Sequence, residues 1–292
     1  MEDKITYEQL RTSCRFTFLT IHKCSIHARY GEHTRAEVSG IVKGDAAKAV
    51  LPDISDEKLE IFSQNKDGSK KILFIGVIQN VRLEEEGQYA VLHLTAVSYT
   101  WKMDIERKSR SFQNLSLSYR DVAEHIAAEY GADIRWNTAD RKLSYPLIQY
   151  QETDYGFLTR ILSHLQGKIT PESSAPGAGI CFYAGMREGN SRGTIDLSQY
   201  VHATLPFRDG NKIDTGRKKQ QMGYEIADVD HMEAGDMLQV HGRNLYVMES
   251  RSVLVDNMLN CTCKVFPKEC FEAEKLPADT LRGTVITGTV LE

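Results

Sequence analysis

Tyr145 to Gly167 reads YPLIQYQETDYGFLTRILSHLQG. Leu147 to Tyr150 is a short strand, closed on its N-terminal side by Pro146. The chain then turns helical, with Thr153 or Asp154 as N-cap and acidic charge (Glu152, Asp154) where a helix N-terminus is partially positive. Phe157, Ile161 and Leu165 recur at i, i+4, i+8, and Leu158 and Leu162 widen that stripe to a full core face. Gly167 is the expected stop. Strand-rich residues lie on both sides of this stretch. The fold expected is mainly β: two small β-barrels of similar topology flanking a helix–strand–strand–helix insert.

Toward the N-terminus, Arg15 to Ile26 alternates with a slip of phase, as a bulged or bent strand does. Glu37–Val42 is a second strand, and the GIVKGD run that overlaps its end (Gly40 to Asp45) reads as turn chemistry rather than a phosphate loop. Leu59 and Ile61 lead to the hairpin signal Asn65-Lys66-Asp67-Gly68. Lys71–Gln79 returns with an interior glycine, Gly76, which marks a bulge or a close backbone approach. Val81 and Leu83 run into the Glu84-Glu85-Glu86-Gly87 turn, and Tyr89–Val97 is apolar on both faces. Strands this short, with turns this frequent, predict a small barrel or sandwich. Trp101–Gln113 reads as a polar bridge. Ser118 and Asp121 then form a capping signal for a helix bearing Val122, Ile126 and Tyr130 and ending at Gly131.

Toward the C-terminus, Thr170–Gly179 (TPESSAPGAG) reads as a linker to a second β region. Its strands are expected at 180–183, 194–197, 222–227, 237–240, 245–255 and 258–266. The basic stretch Arg217–Gln221 is expected on solvated surface. The two β regions echo each other, KILFIGVIQNVRLEEEGQYAVLHLTAV against RNLYVMESRSVLVDNMLNCTCKVF. The domains expected are a first barrel over 1–108, the insert over 109–172, a second barrel over 173–280, and at 281–292 the start of an OB-fold or spike linker.

A chain of 292 residues with 41% hydrophobic and 26% charged residues can build ordinary cores. A formal charge of -4 argues against a nucleic-acid or anionic-membrane partner, and no apolar run is long enough for stable membrane insertion. MEDKITYEQL lacks the apolar core of a signal peptide, so the six cysteines are expected as free thiols.

No constellation of catalytic residues emerges. His22, Cys24 and His27 form one candidate metal cluster, and Cys261, Cys263 and Cys270 another, but neither has the C-x-x-C knuckle that structural zinc prefers. On a strand, Cys261 and Cys263 share a face, where small core residues point equally well. Nucleophile motifs are absent. Acid pairs such as Asp228/Asp230 and Glu57/Glu60 match glycosidase chemistry only as any acid-rich chain does, and Glu84 to Glu86 reads as a soluble hairpin tip. No catalytic residue, cofactor site or metal site is assigned.

Three stretches resemble the baseplate hub proteins of contractile injection machines, a family that includes phage late control protein D, the myophage baseplate hub and the N-terminal part of the type VI secretion spike protein VgrG. The first is Phe74–Ile78, followed by Ala96–Asp104 and Ser109–Gln113. The second is Ile148–Leu162, similar to that family's Q-Y-x-E-T-D-x-x-F-L-x-R-L segment. The third is Gly235–Val240 with Gly242 and Tyr246-Val247. The resemblance implies a non-enzymatic homotrimer, in which two barrels from each of three chains make a ring of six similar units. Such a ring adapts a sixfold tail tube to a threefold spike. The implied partners are tail tube and sheath-initiator proteins and a spike protein or C-terminal OB-fold/spike domain, with room for a carried effector. Assembly in the cytoplasm and residence in a phage tail or injection particle follow. LRGTVITGTVLE at the C-terminus resembles a first OB strand, so either the chain is trimmed there or the spike is a separate chain. The alternatives are a tail-associated hydrolase (lysozyme or peptidase), marked by a cleft of convergent carboxylates, and a glycan- or receptor-binding tail module, marked by exposed aromatic platforms.

Overall fold

A computed structural model describes residues 4–45, 48, 56–177, 179–195, 223–281 and 283. The Arg217–Gln221 stretch and nearly all of Leu281–Glu292 lie outside them.

The first lobe is built from β1 (Leu10–Ser13), β2 (Phe18–Arg29), β3 (Arg35–Lys43), β4 (Lys58–Gln64), β5 (Lys70–Glu86) and β6 (Tyr89–Val97). They pair in the order β1-β4-β5-β6-β3-β2. Leu10, Ile26, Val38, Ile61, Phe74 and Leu92, one from each strand, meet in a single buried cluster. A flat sheet of six strands cannot bring its first and last members together, so this one is curled around its core. The phase slip near Phe18 is a pair of register shifts in β2 against β3, at Phe18/Thr20 and Ile21/Lys23. Two glycines let backbones close in. A methyl on Gly40 would run into the Thr20 carbonyl oxygen, and one on Gly76 into that of Val97. Gly40 is therefore a strand residue at a close approach rather than part of a turn. β5 also runs unbroken to Glu86, well past Gln79.

The insert holds β7 (Arg107–Phe112), α1 (Tyr119–Ala128), β8 (Asp133–Asn137), β9 (Leu147–Thr153), α2 (Asp154–Ser163), β10 (Ile169–Pro171) and β11 (Cys181–Gly185). Ser118 caps α1 in a full capping box with Asp121, and the Thr153 hydroxyl accepts from the Gly156 amide at the start of α2. Phe157, Leu158, Ile161 and Leu162 pack with Val122 and Ile126 in one cluster, and Leu165 joins from its edge. At the C-terminus of α2 it is Gln166 that takes the left-handed conformation (φ 61°), while the Gly167 amide donates to the Leu162 carbonyl. Gly167 instead lies against the Gly185 backbone.

Helix–strand–strand–helix is the order found, but the two middle strands do not pair. β9 pairs with β7, and β8 runs parallel to β11 in a three-stranded sheet with β10. Two stretches consequently differ from expectation. Trp101–Gln113 is not a bridge: it contains the end of a 3-10 turn (Tyr99–Asp104) and all of β7. Thr170–Gly179 is not a linker between lobes but the end of β10 and the connection from it to β11, and Ile180, Phe182 and Ala184 belong to the insert's core. Pro, Gly and Ser report a turn, and a turn need not be a boundary.

The second lobe comprises β12 (Ser191–Ile195), β13 (Tyr224–Val229), β14 (Met237–Val240), β15 (Arg243–Val255) and β16 (Met258–Phe266), around Ile226, Leu238, Val247, Cys261 and Cys263. The lobes share one sheet, because Ser25–Arg29 of β2 pair with Glu249–Val253 of β15. Where the three units meet, Tyr30, Met186, Met248, Phe266 and Phe271 form a separate small cluster.

Candidate functional site

The echo between the β regions is a duplication of strand register. β5 and β6 join through the two-residue turn Gly87-Gln88, hold seven consecutive residue pairs from Glu86↔Tyr89 to Asn80↔Thr95, skip Gln79, and then hold two more. β15 and β16 join through Asp256-Asn257, hold seven pairs from Val255↔Met258 to Glu249↔Lys264, skip Met248, and hold two more. Every residue of the second hairpin thus lies 169 positions after its counterpart. The flanking strands agree. β4 meets β5 at Lys58↔Val77 and Leu59↔Gly76, while β14 meets β15 at Met237↔Tyr246 and Leu238↔Leu245, the equivalent positions. Each hairpin also runs through one residue into a 3-10 turn, Tyr99–Asp104 or Lys268–Phe271.

The Gln149–Arg160 segment proves to be a junction. Asp154 has no exposed surface, accepts from Arg110 (2.5 Å), Gln149 (2.9 Å) and Tyr130 (2.7 Å), and lies 2.7 Å from the Lys108 ammonium. Burial works to raise its carboxyl, but hydrogen bonds from Lys108, Tyr130 and Gln149 outweigh this and hold it below the ordinary carboxylate range. Glu129 closes the network onto Lys108 and Arg110. β7, β9, the start of α2 and the turn that follows α1 are locked through one carboxylate. Arg160 pairs with Glu152 at 2.8 Å and donates to the Ile148 carbonyl, bracing β9 against α2.

The other two motif stretches serve the same purpose. Thr153 donates to Asp104 (2.5 Å), Asp104 meets His33 at 3.4 Å, and His33 also bonds Thr100 and stacks on Tyr155. This chain ties the first lobe to the cap of α2. Asp236, fully buried, accepts from Arg187 (3.2 Å), from Arg192 (2.7 Å) and from the amides of Asn190 and Glu233. Arg187 reaches on to Glu233 (2.6 Å) and Glu172 (3.4 Å), so the second lobe is bound to the insert. Gly235 sits at φ 91° against the Arg187 carbonyl, where a side chain does not fit.

The candidate metal residues do not converge. Cys24 points into the first core, with burial pushing its thiol up to about 12, whereas His27 lies half-exposed 3.1 Å from Glu249. Cys261 and Cys263 are core residues of the second lobe, and Cys270 packs against the separate cluster where the three units meet. Of the acid pairs, Glu60 binds Lys58 and Lys70, and Glu57 binds Arg15. Among the described residues no group of three potential ligands surrounds a common point, and no helix is long and apolar enough to cross a membrane. Sequence reasoning missed Lys108 and Arg110, hidden in the stretch read as a bridge, and the Glu172–Arg187–Asp236 chain. Buried acids with partners far along the chain leave no local signal.

Comparison with known proteins agrees with this geometry. Residues 31–165, which run from before β3 through α2, match the family described as the phage tail baseplate hub (GPD). No curated protein matches the sequence. The fold is similar to that of the Escherichia coli c3393 protein, described as a type VI secretion component structurally similar to the T4 tail proteins gp27 and gp5 (TM-score 0.64, 13% identity, 88% of this chain and 76% of that one). It is similar to a tail protein of Neisseria meningitidis MC58 (TM-score 0.64, 13% identity, 92% of this chain and all of that one). It also resembles a chain of the Francisella PdpA–VgrG complex (TM-score 0.57, 8% identity, 91% of this chain and 59% of that one). At such identities the likeness is one of fold. The motif stretches and the family match meet on the same elements, and residues 31–165 are similar to the phage tail baseplate hub family.

Proposed function

We propose that this chain is a structural, non-enzymatic hub of a contractile tail or type VI-like baseplate, working as a homotrimer. The observation that carries the reading is the duplicated register. Two lobes with the same turn length, bulge position and flanking pairs present the same outer shape twice per chain, and three chains present it six times. A ring of that kind meets a sixfold tube on one face and a threefold spike on the other. Tube, sheath-initiator and spike proteins are then its neighbours, with the 281–292 segment leading toward the spike, and assembly takes place in the cytoplasm. The motif residues support a structural role, since Asp154, Asp236, Glu152 and Arg160 are each committed to junction contacts. A ring of this type requires permanent interfaces on the order of 2,000 Å² or more per pair. Sedimentation equilibrium over a wide concentration range, followed by imaging, tests it. The expected result is a trimer with a threefold ring; a strict monomer at high concentration, with the spike chain or domain restored, overturns the reading.

A further inference from the structure

We infer that Asp230–Asp236, the connection from β13 to β14, is a clasp that acid opens, and that His231 is the group that opens it. Every part of this device lies within one chain and is independent of the trimeric reading.

The clasp joins the second lobe to the insert. The Gly235 amide donates to the Val247 carbonyl (2.8 Å), and the Val247 amide to the Asp236 carbonyl (2.9 Å). Just beyond, the Met237 amide donates to the Asn190 carbonyl (3.0 Å). The Ser250 hydroxyl holds the Met232 carbonyl at 2.6 Å. Met232 is buried in the second core, its sulfur 4.0 Å from that of Cys263. From the insert side Arg187 reaches Glu233 and Asp236. The clasp residues lie between two strands, so the segment can lift while both ladders stay paired.

His231 is 3% exposed, with Nδ1 at 2.8 Å from the hydroxyl of Ser252, itself without exposed surface. Nε2 has no hydrogen-bond partner among the described residues. A neutral imidazole has one donor and one acceptor, whereas a protonated one has two donors, and here Nδ1 has a partner and Nε2 does not. The surroundings disfavour a cation as well. Lys71 from β5 of the first lobe, Arg192 from β12 and Arg187 from the insert side all oppose a charge at this point. Asp236 favours it, but that carboxylate is already bound by both arginines. On β15 stand Ser250 and Ser252, and the residues paired with them on β16 are Cys263 and Cys261, whose thiols burial holds up. Within the clasp, Asp230 precedes His231 in sequence, and Glu233 turns to Arg187 with Glu172 beyond it.

Burial, together with these cations, pushes the imidazole down to about 4 from its ordinary 6.5. At pH 5 the closed clasp therefore binds no proton at this site, whereas an open one does. Closure is fully favoured above about 6.5 and loses ground as the pH falls toward 4. Glu233 pulls the other way, because burial raises its carboxyl above 4.5 and the closed form takes up that proton sooner. When the clasp lifts, Glu233 leaves Arg187 and the second lobe parts from the insert.

Amide hydrogen exchange on the full chain, corrected for the intrinsic rate at each pH, reads the clasp at Gly235, Met237 and Val247. Between pH 7 and 5, opening in the wild-type chain should rise roughly 10- to 25-fold more than in His231→Gln, which can still bond Ser252 but cannot titrate. Glu233 is common to both chains and cancels. The amides of α1 and α2 should not follow. If His231→Gln does not fold, Glu233→Gln takes its place: with the opposing carboxyl gone, its own opening should rise by the same factor over the same interval. Equal pH dependence in wild type and His231→Gln, a flat profile in Glu233→Gln, or a rise shared equally by α1 and α2 each overturns the clasp.

Discussion

The two hairpins share a backbone and invert a core. Along β6 the inward residues run Ala90, Leu92, Leu94, Ala96, small at the ends and large in the middle. Along β16 the equivalent residues run Leu259, Cys261, Cys263, Val265, large at the ends and small in the middle, with Leu259 packed in the first core and the other three in the second. All eight are buried. The order of large and small along the strand is reversed, which close-packed cores tolerate when the facing side chains change in step. Turn length, bulge position and pair count stay the same. A core needs only to be filled, so the difference teaches that the outer geometry of the hairpin is what both lobes have in common. The proposed ring of six near-equal units would make that demand.

The insert occurs once and has no counterpart, which makes it the control. Phe157 has no exposed surface, stacks on Phe112 with ring centroids 5.7 Å apart, and joins both helices. Phe157→Ala should cost about 3–5 kcal/mol in chemical denaturation, the largest single loss expected. A change of a few tenths would remove the claim that this face holds the insert.

Within the lobes, equivalent positions should respond unequally. Leu92→Ala should cost about 2–5 kcal/mol, while Cys261→Ala, which deletes little more than one sulfur atom, should cost roughly 1 kcal/mol. The reciprocal exchange is sharper. Cys261→Leu overfills a site bounded by its own large neighbours and should cost about 1–3 kcal/mol. If Cys261→Leu is tolerated without loss, the two cores are interchangeable and the inversion carries no meaning.

The junctions answer to pH. Asp154 has a folded-state pKa below its ordinary 3.8, so its contribution is complete above that value and is lost as the pH falls through the folded pKa. Glu233 behaves oppositely. Burial raises its carboxyl above 4.5, and Glu172 and Asp236 nearby add to this against Arg187, so its ionisation costs stability as the pH rises through that value. Denaturation midpoints from about pH 2 to neutrality should show Asp154→Asn losing the fall on the acid side of about pH 4 and Glu233→Gln losing the opposing slope above about pH 4.5. Near neutrality Asp154→Asn should cost somewhat less than the ~3–5 kcal/mol of a broken buried pair, because Glu129 still meets Lys108 and Arg110. Parallel pH profiles for both variants and the parent would mean that neither carboxyl is perturbed.

These contrasts also show what was legible in sequence. The caps at Ser118 and Thr153, the Phe157–Ile161 stripe and both hairpins were readable because their partners lie within a few residues. The duplicated register was visible only as a faint echo, since Leu92 and Cys261 share a position but not a chemistry. What stayed hidden is non-local. Nothing near Ile134 announces that β8 pairs with β11 across the intervening β9, α2 and β10, and nothing near Arg110 announces Asp154, 44 residues on. Outward apolarity on β6 was expected at Tyr89, Val91 and Val97. Tyr89 is exposed and Val91 half-buried, but Val97 is fully buried, at the end of β6 where Ala96 and Val97 are both buried and the alternation stops.

The smallest effect lies in the turns, and it tests most directly whether backbone geometry is the shared quantity. Gly87 sits at φ 66° with a normal residue after it, while Asp256 and Asn257 sit at φ 49° and 63°. These are two solutions to one problem, since both turn forms carry the twist that a two-residue hairpin needs. Gly87→Val should cost about 1–2 kcal/mol, because a β-branched residue is forced into the left-handed region. Replacing Gly87 and Gln88 together by Asp and Asn, the pair used in the second lobe, should change stability by no more than about 0.5 kcal/mol, as Asp and Asn tolerate that region. The transplanted turn must also leave the seven-pair register intact, which amide exchange from Asn80 to Thr95 reports. A register slip of one residue would turn Leu92 and Leu94 out of the core, with a loss far beyond that limit. Such a loss would show that each turn is fitted to its own lobe, and that the common register is kept by something other than the hairpin itself.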